Sequence, residues 1–302
     1  VTQWHILGAG SVGCLMARLL AEHDISPRLI LSSPARRADW QAEQLDYQYQ
    51  QQRQKVAVQL LCAAELKTPL DHLLICTKTY ATELALAPLL PYITPQTTLL
   101  LLQNGMGMHE WMMQTFPDNP LILGTISHGA YRTRADHVVH SGWGQCYWGT
   151  WQPSTAPQTM TPLLSSAWEA QWCDDMQVRL WHKLAVNSAI NPLTVLYNCK
   201  NGELLQNAEA LALMQTLCTE LTAIMHQLAI PLPTDGLWPL VRSIAERTAA
   251  NISSMRQDVL NNKPTEIDAI TGYILRKSQQ LGMSCPAHEE VMTRFMGQSG
   301  SA

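Results

Sequence analysis

The sequence has no hydrophobic run longer than a β-strand, no CxxC pair, no internal repeat and no excess of charge of either sign. Each absence removes a class of function. The longest apolar runs, such as Leu99 to Leu102, are far too short to span a bilayer, so no membrane role is expected. Charged residues make up 15% and the net charge is −4, which gives no basis for binding nucleic acid or an anionic surface. The eight cysteines lack metal-ligand spacing and no secretory leader is in view. Reduced, mostly buried thiols in a cytoplasmic protein, and no metal, are therefore expected. A Gln-rich patch from Gln48 to Gln54 reads as a solvated loop or strand edge. What the chain does have is apolar residues, 46% of 302, enough for two domains with ample cores.

The chain opens with a short strand, Trp4 to Leu7, followed at once by Gly8-Ala9-Gly10-Ser11-Val12-Gly13 and a helix to about Glu22. GxGxxG between a strand and a helix is a dinucleotide fingerprint rather than a plain glycine turn. Gly8 allows the tight turn, Gly10 lets a pyrophosphate approach the backbone, and Gly13 lets helix and strand pack closely. The positive helix end then faces the phosphates. A second strand, Arg28 to Leu31, leads into Ser32-Ser33-Pro34-Ala35-Arg36-Arg37 with no acid to hold a ribose 2′-hydroxyl. Hydroxyls and arginines there suit a 2′-phosphate, hence NADPH/NADP, unless Arg36 and Arg37 only decorate a solvated turn.

Strands are expected at Val56 to Leu61 (paired as a hairpin with what precedes it), Leu73 to Thr77, Thr97 to Leu102 and Leu121 to Thr125. Helices are expected between the last three. That alternation predicts a parallel sheet with helices on both faces and ligands beyond its carboxyl ends. Lys78 and Asn104 sit at two such ends; the alternatives are a surface cap for Lys78 and an ordinary turn for Asn104-Gly105. Ile126 to Gly149 reads as antiparallel strands closing the sheet edge, with His128 and His140 as structural histidines.

From Met160 onward helices dominate: Met160 to Ala170, Met176 to Ser188, Thr194 to Tyr197, Ala208 to Leu228, Thr234 to Ala249, Glu266 to Leu281 and Ala287 to Phe295. Lys183, Asn187 and Asn191 recur every four residues in an otherwise apolar stretch, so they share one helix face. Buried amides beside a lysine need partners, and a polar ligand supplies them. The bland alternatives are Asn191-Pro192 as a helix N-cap and Asn201-Gly202 as a turn. Thr265 and Asp268 have capping-box spacing, with Glu266 then serving only the helix dipole.

Together GAGSVG from Gly8, CTK ending at Lys78, LLQNGMG around Asn104, WHKLAVNSAINPLT around Lys183, NGEL from Asn201, NISSMRQD from Asn251 and TEIDAITG around Glu266 resemble the ketopantoate reductase family, in its order and over nearly the whole chain. The resemblance implies an α/β N-terminal Rossmann-type domain (1–172) that binds NADP. It also implies a mainly α-helical C-terminal domain (173–302), with the active site in the cleft between them. It implies catalytic Lys183 and Glu266, substrate contacts from Asn104, Asn187, Asn191, Asn201, Asn251 and Ser254, and cofactor contacts from Gly8, Ala9, Gly10, Ser11, Val12, Gly13, Ser32, Ser33, Arg36, Lys78 and Asn104. At or near Ser32 family members can place an arginine for the 2′-phosphate; here Ser33, Arg36 or Arg37 would take that role. The implied partner is a small 2-oxo acid; a monomer or small homo-oligomer is expected, the sequence not choosing between them. Two rival readings stand beside ketopantoate reduction: a reductase of another branched 2-oxo acid, and a non-catalytic NADPH sensor.

Overall fold

The computed structural model describes residues 3–299. Contacts divide the chain into two units, one formed by residues up to 103 and 108–177, the other by 104–107 and 178 onward. The first unit begins with β1 (Trp4–Leu7), α1 (Ser11–Ala21), β2 (Arg28–Leu31), the short α2 (Ala35–Ala38), β3 (Gln44–Tyr49), β4 (Gln52–Ala57) and β5 (Gln59–Cys62). It continues through β6 (His72–Ile75), α3 (Thr79–Leu86), β7 (Thr98–Leu102), α4 (Met108–Thr115) and β8 (Leu121–Ile126). β9 (Gly129–Arg134), β10 (His137–Gly142), β11 (Cys146–Gly149) and β12 (Ala170–Trp172) follow.

Eight strands form the main sheet in the order β12-β11-β8-β7-β6-β1-β2-β5. The six from β8 to β5 run parallel. β1 and β6 are buried at every residue, His5 and His72 included, which is why they read as mostly apolar runs. The expected single strand from Val56 to Leu61 is two, because the chain changes sheet at the buried Val58. β4 pairs antiparallel with β3 around the Gln-rich turn, and β5 joins β2.

The expected closing of the sheet edge by residues 126–149 holds only for β11, which pairs antiparallel with β8. β9 and β10 instead join β3 and β4 in a second sheet, ordered β4-β3-β10-β9. The physical reason lies in α1. Its Cys14, Leu15, Met16, Ala17, Leu19 and Leu20 are all buried, so it needs cover on both sides. Leu45, Val56 and Val138 of the second sheet, with Met160, Leu163 and Trp168 beyond β11, share one hydrophobic cluster with it. The helix expected from Met160 to Ala170 is replaced by two 3-10 turns, Gln158–Leu163 and Ser166–Trp168, and then β12. Pro162 and the left-handed Glu169 (φ 44°) account for the break.

The second unit is helical: α5 (Met176–Leu196, its first two residues counted with the first unit), a 3-10 turn at Asn201–Gln206, α6 (Ala208–Gln227), α7 (Leu237–Arg247), α8 (Ser254–Leu260), α9 (Tyr273–Gln280) and α10 (Pro286–Ser299). α5 corrects one expectation. Asn191-Pro192 does not cap a new helix, since a single helix runs through it. Burial of Ile190, Asn191, Pro192 and Leu193 holds the helix together where the proline amide is missing. The expected helix start at Glu266 also differs: a π-helical turn, Asp268–Gly272, precedes α9. The Asp268 carboxylate bonds Arg276 (2.9 Å) across that turn rather than serving a capping box. No helix among the described residues is long and apolar enough to cross a membrane, and none of the eight cysteines is in a disulfide.

Candidate active site

The loop between β1 and α1 is made by missing side chains. Gly8 has φ +104°, and a Cβ there would lie 2.8 Å from the Thr77 amide nitrogen and 2.9 Å from the Cys76 carbonyl carbon. The glycine loop therefore lies directly on the segment between β6 and α3. A Cβ on Gly13 would run into the Gly8 carbonyl oxygen. Gly10 differs from both, since a Cβ there would meet nothing within 4 Å. Gly10 caps α1 without a side-chain hydrogen bond, and no acid occupies the first helical turn. Unpaired amides, a positive helix end and open space at Gly10 fit the phosphates of a dinucleotide. The Cys14 thiol just inside is pushed up to about 12 by burial, so no thiolate competes there.

Ser32 and Ser33 follow the end of β2, Ser32 exposed and Ser33 half-buried. Arg36 is exposed, 3.5 Å from Asp39. Arg37 is engaged elsewhere. Its guanidinium donates to both oxygens of Glu65 (3.1 and 2.5 Å) and to the Leu60 carbonyl (2.6 Å), so it is not offered to a 2′-phosphate. Lys78 stands between β6 and α3, half-buried, and makes no side-chain cap of that helix. The Gln103 amide at the end of β7 donates to the Thr77 carbonyl (2.7 Å) and Thr82 hydroxyl (2.6 Å), which ties the two strand ends together.

In the second unit Lys183, Asn187 and Asn191 share a face of α5, the first two half-buried and Asn191 buried. One turn on, the Thr194 hydroxyl bonds the Asn191 carbonyl (2.7 Å) and the Ser253 hydroxyl (2.6 Å). Ser253 caps α8 by accepting from the Arg256 amide (3.1 Å), which leaves Ser254 exposed at the first helical position. The Asn201 amide nitrogen of the backbone bonds the Asn251 carbonyl (3.1 Å) and its side chain donates to the Thr248 hydroxyl (2.9 Å). The Asn201 side-chain oxygen is buried and has no hydrogen-bond partner among the described residues. Asn201 thus holds two segments together, beyond what a plain turn requires. The structure gathers Asn191, Asn201, Asn251 and Ser254 around the α5–α8 contact. Thr194, Thr248 and Ser253 belong to the same network and escape sequence reasoning, because small hydroxyls in helical segments carry no spacing signal.

Residues 104–107 pack in the second unit on the π-helical turn. The Met106 amide donates to the Ala269 carbonyl (2.8 Å), and a Cβ on Gly105 (φ +76°) would lie 2.6 Å from that oxygen. A π turn frees a carbonyl for such a bond. It places the Asn104 segment three residues from the buried Glu266 (5% exposed). Glu220, Cys285 and His288 bring potential metal-ligand atoms within 4.8 Å of one another. Glu220, however, already accepts from the amides of Ala287 (2.7 Å) and His288 (3.1 Å) and bonds His288 Nδ1 (2.7 Å), so the trio pins the start of α10.

A parallel sheet with a glycine-rich first crossover, and a helical unit carrying a lysine–amide stripe, define a dinucleotide-binding oxidoreductase. Comparison with known proteins gives the particular family. Residues 4–153 match the model of ketopantoate reductase PanE/ApbA, and 175–298 match its C-terminal model. A 2-dehydropantoate 2-reductase of Vibrio cholerae is 38% identical over 72% of this chain and 74% of its own. One from Yersinia pestis is 34% identical over 72% and 70%. The crystal structure of a probable 2-dehydropantoate 2-reductase from Bacillus subtilis superposes with TM-score 0.83 at 26% identity, covering 98% and 99% of the two chains. The chain belongs to the ketopantoate reductase family.

Proposed function

We propose that the chain reduces 2-dehydropantoate to pantoate with NADPH, its first unit holding the cofactor and its second the substrate. The observation that carries this is the lysine–amide stripe on α5, inside a mostly apolar helix, in a chain 38% identical to a 2-dehydropantoate 2-reductase. When bound, the nicotinamide supplies the hydride. The residues do the rest. Gly8, Ala9, Gly10, Ser11, Val12 and Gly13 cradle the diphosphate with backbone amides, and Ser32, Ser33, Arg36 and Lys78 complete the nucleotide site. The Lys183 ammonium donates a hydrogen bond to the keto oxygen, stabilises the negative charge that grows there, and gives up the proton that makes the alcohol. Glu266 helps keep Lys183 protonated. Asn104, Asn187, Asn191, Asn201, Asn251 and Ser254 orient the substrate carboxylate and hydroxyl; the unpartnered oxygen of Asn201 suits a hydroxyl donor.

Fold alone does not choose the oxo acid. A D-mandelate dehydrogenase in complex with NADH superposes with TM-score 0.86 at 22% identity, over 99% of both chains. The test is the loss of NADPH absorbance on adding ketopantoate to the purified protein, with NADH and other branched 2-oxo acids run beside it. Rapid oxidation of NADPH with ketopantoate is the expected result. Preference for another oxo acid would move the substrate, and equal use of NADH would remove the 2′-phosphate role of Ser32, Ser33 and Arg36.

A further inference from the structure

β9 carries an arginine that nothing above uses. Ala130 and Arg132 stand two residues apart on one face of the strand, with a register shift at Thr133 before Arg134, and Ala130 and Ala9 both pack against the cluster that encloses α1. Arg134 is neutralised by Asp46 and Asp136. Arg132 is not. Its Nη1 donates to the Ala9 carbonyl of the glycine loop (2.5 Å) and weakly to the Ala135 carbonyl (3.4 Å), and among the described residues no carboxylate pairs with it. Elsewhere in this unit Arg18, Arg36, Arg37 and Arg53 meet acids, and Arg28 is held by the side chains of Gln3 and Gln59.

An exposed guanidinium beside the start of α1 is electrostatically misplaced, because the helix end there is itself positive and carries no acid in its first turn. An anion bound between them turns both charges favourable. Arg132 uses one nitrogen on the loop and keeps the rest of its donor fork for phosphate oxygens. We infer that Arg132 is a cofactor-binding residue that holds the diphosphate of the dinucleotide from the second sheet, opposite the loop amides. The diphosphate is the target rather than the 2′-phosphate, since Ala9 lies in the fingerprint itself and Ser32 lies at the end of β2. The inference rests on the cofactor reading above.

The test measures the dissociation constants of NADPH, NADH and ADP-ribose by tryptophan fluorescence, at low and moderate salt, for the wild type and three variants. Arg132→Gln keeps a donor for the Ala9 carbonyl but loses the charge, Arg132→Lys keeps the charge, and Arg132→Ala loses both. Expected is a loss of about tenfold for all three ligands in Arg132→Ala and Arg132→Gln, with partial recovery in Arg132→Lys. The salt dependence of binding should become shallower in the two uncharged variants. Wild-type affinity in Arg132→Gln would make the residue a loop tether only and overturn the inference. Weakening confined to NADPH would overturn it in favour of the 2′-phosphate. Failure of wild-type protein to bind any of the ligands would instead sink the cofactor reading beneath it.

Discussion

The glycine loop and the α5 stripe make binding groups available by opposite means. At Gly8, Gly10 and Gly13 side chains are missing so that backbone amides are exposed; Gly8 and Gly13 are required by close contacts, and Gly10 keeps the space beside the helix end open. On α5 polar side chains are added to a helix whose packing asks for apolar ones. A site made by subtraction has a fixed spacing, because the backbone geometry that needs it is fixed. A site made by addition shows only as an exception to a pattern, and its partners sit far away in sequence. The two should also fail differently: damage to the loop removes the cofactor, and damage to the stripe leaves the cofactor bound and idle.

The largest expected effect is on Lys183. Lys183→Ala should lower turnover by about a thousandfold, within the range for loss of a positioned proton donor and charge stabiliser. Asn191→Ala should raise KM for the oxo acid by about tenfold, the usual cost of one buried hydrogen-bonding partner, while leaving NADPH affinity unchanged. A matching change in NADPH affinity would break the comparison. Ser253→Ala removes the cap of α8 and its bond to Thr194, and should cost about 1 kcal/mol in urea unfolding.

The smallest effect is a pH dependence within the first unit. Tyr47 donates to His140 Nδ1 (2.8 Å), His140 Nε2 donates to the Gly142 carbonyl (3.0 Å), and His128 Nε2 donates to the Trp168 carbonyl (3.0 Å), a network satisfied by neutral rings. Burial first, and His128 second, hold His140 down at about 4; Arg18 and Glu22 flank the same cluster through Tyr47 and Trp168. The folded protein refuses a proton that the unfolded chain accepts below about 6.5, so this contribution is complete above that pH and fades as pH falls toward 4. Thermal midpoints measured from pH 7 to 4.5 should fall. In His140→Gln the fall should be shallower but still present, since burial also holds His5 near 4. An unchanged slope in that variant would contradict the assignment.

Much of the fold was legible in the sequence. β1, β2, β6, β7 and β8 stand out because strands buried on both faces leave apolar runs bounded by loops. Which sheet β9 and β10 would join was not legible. Alternation marks a strand but not its partner, and the answer depends on α1 needing cover on both sides. Pro192 misleads for a related reason, since its local preference for a helix start loses to the burial of its neighbours. The π-helical turn leaves no periodic mark, yet it exposes the Ala269 carbonyl that takes the Met106 amide. Within the candidate site the glycines and the lysine–amide spacing could be read directly. Arg132 could not, because an exposed arginine on an edge strand looks like ordinary surface until its neighbour is known. Arg37 shows the reverse, a promising arginine already held by Glu65.

The most direct test measures NADPH affinity and turnover side by side in Gly10→Val and Lys183→Ala. Gly10 has open space around its Cβ direction and an ordinary backbone (φ −81°), so the valine variant should fold normally. A crossed result is expected: Gly10→Val loses NADPH binding with little change in thermal midpoint, and Lys183→Ala binds NADPH like the wild type but scarcely turns over. Normal turnover in Lys183→Ala, or tight NADPH binding in Gly10→Val, would contradict the division between a backbone site for the cofactor and a side-chain site for the chemistry.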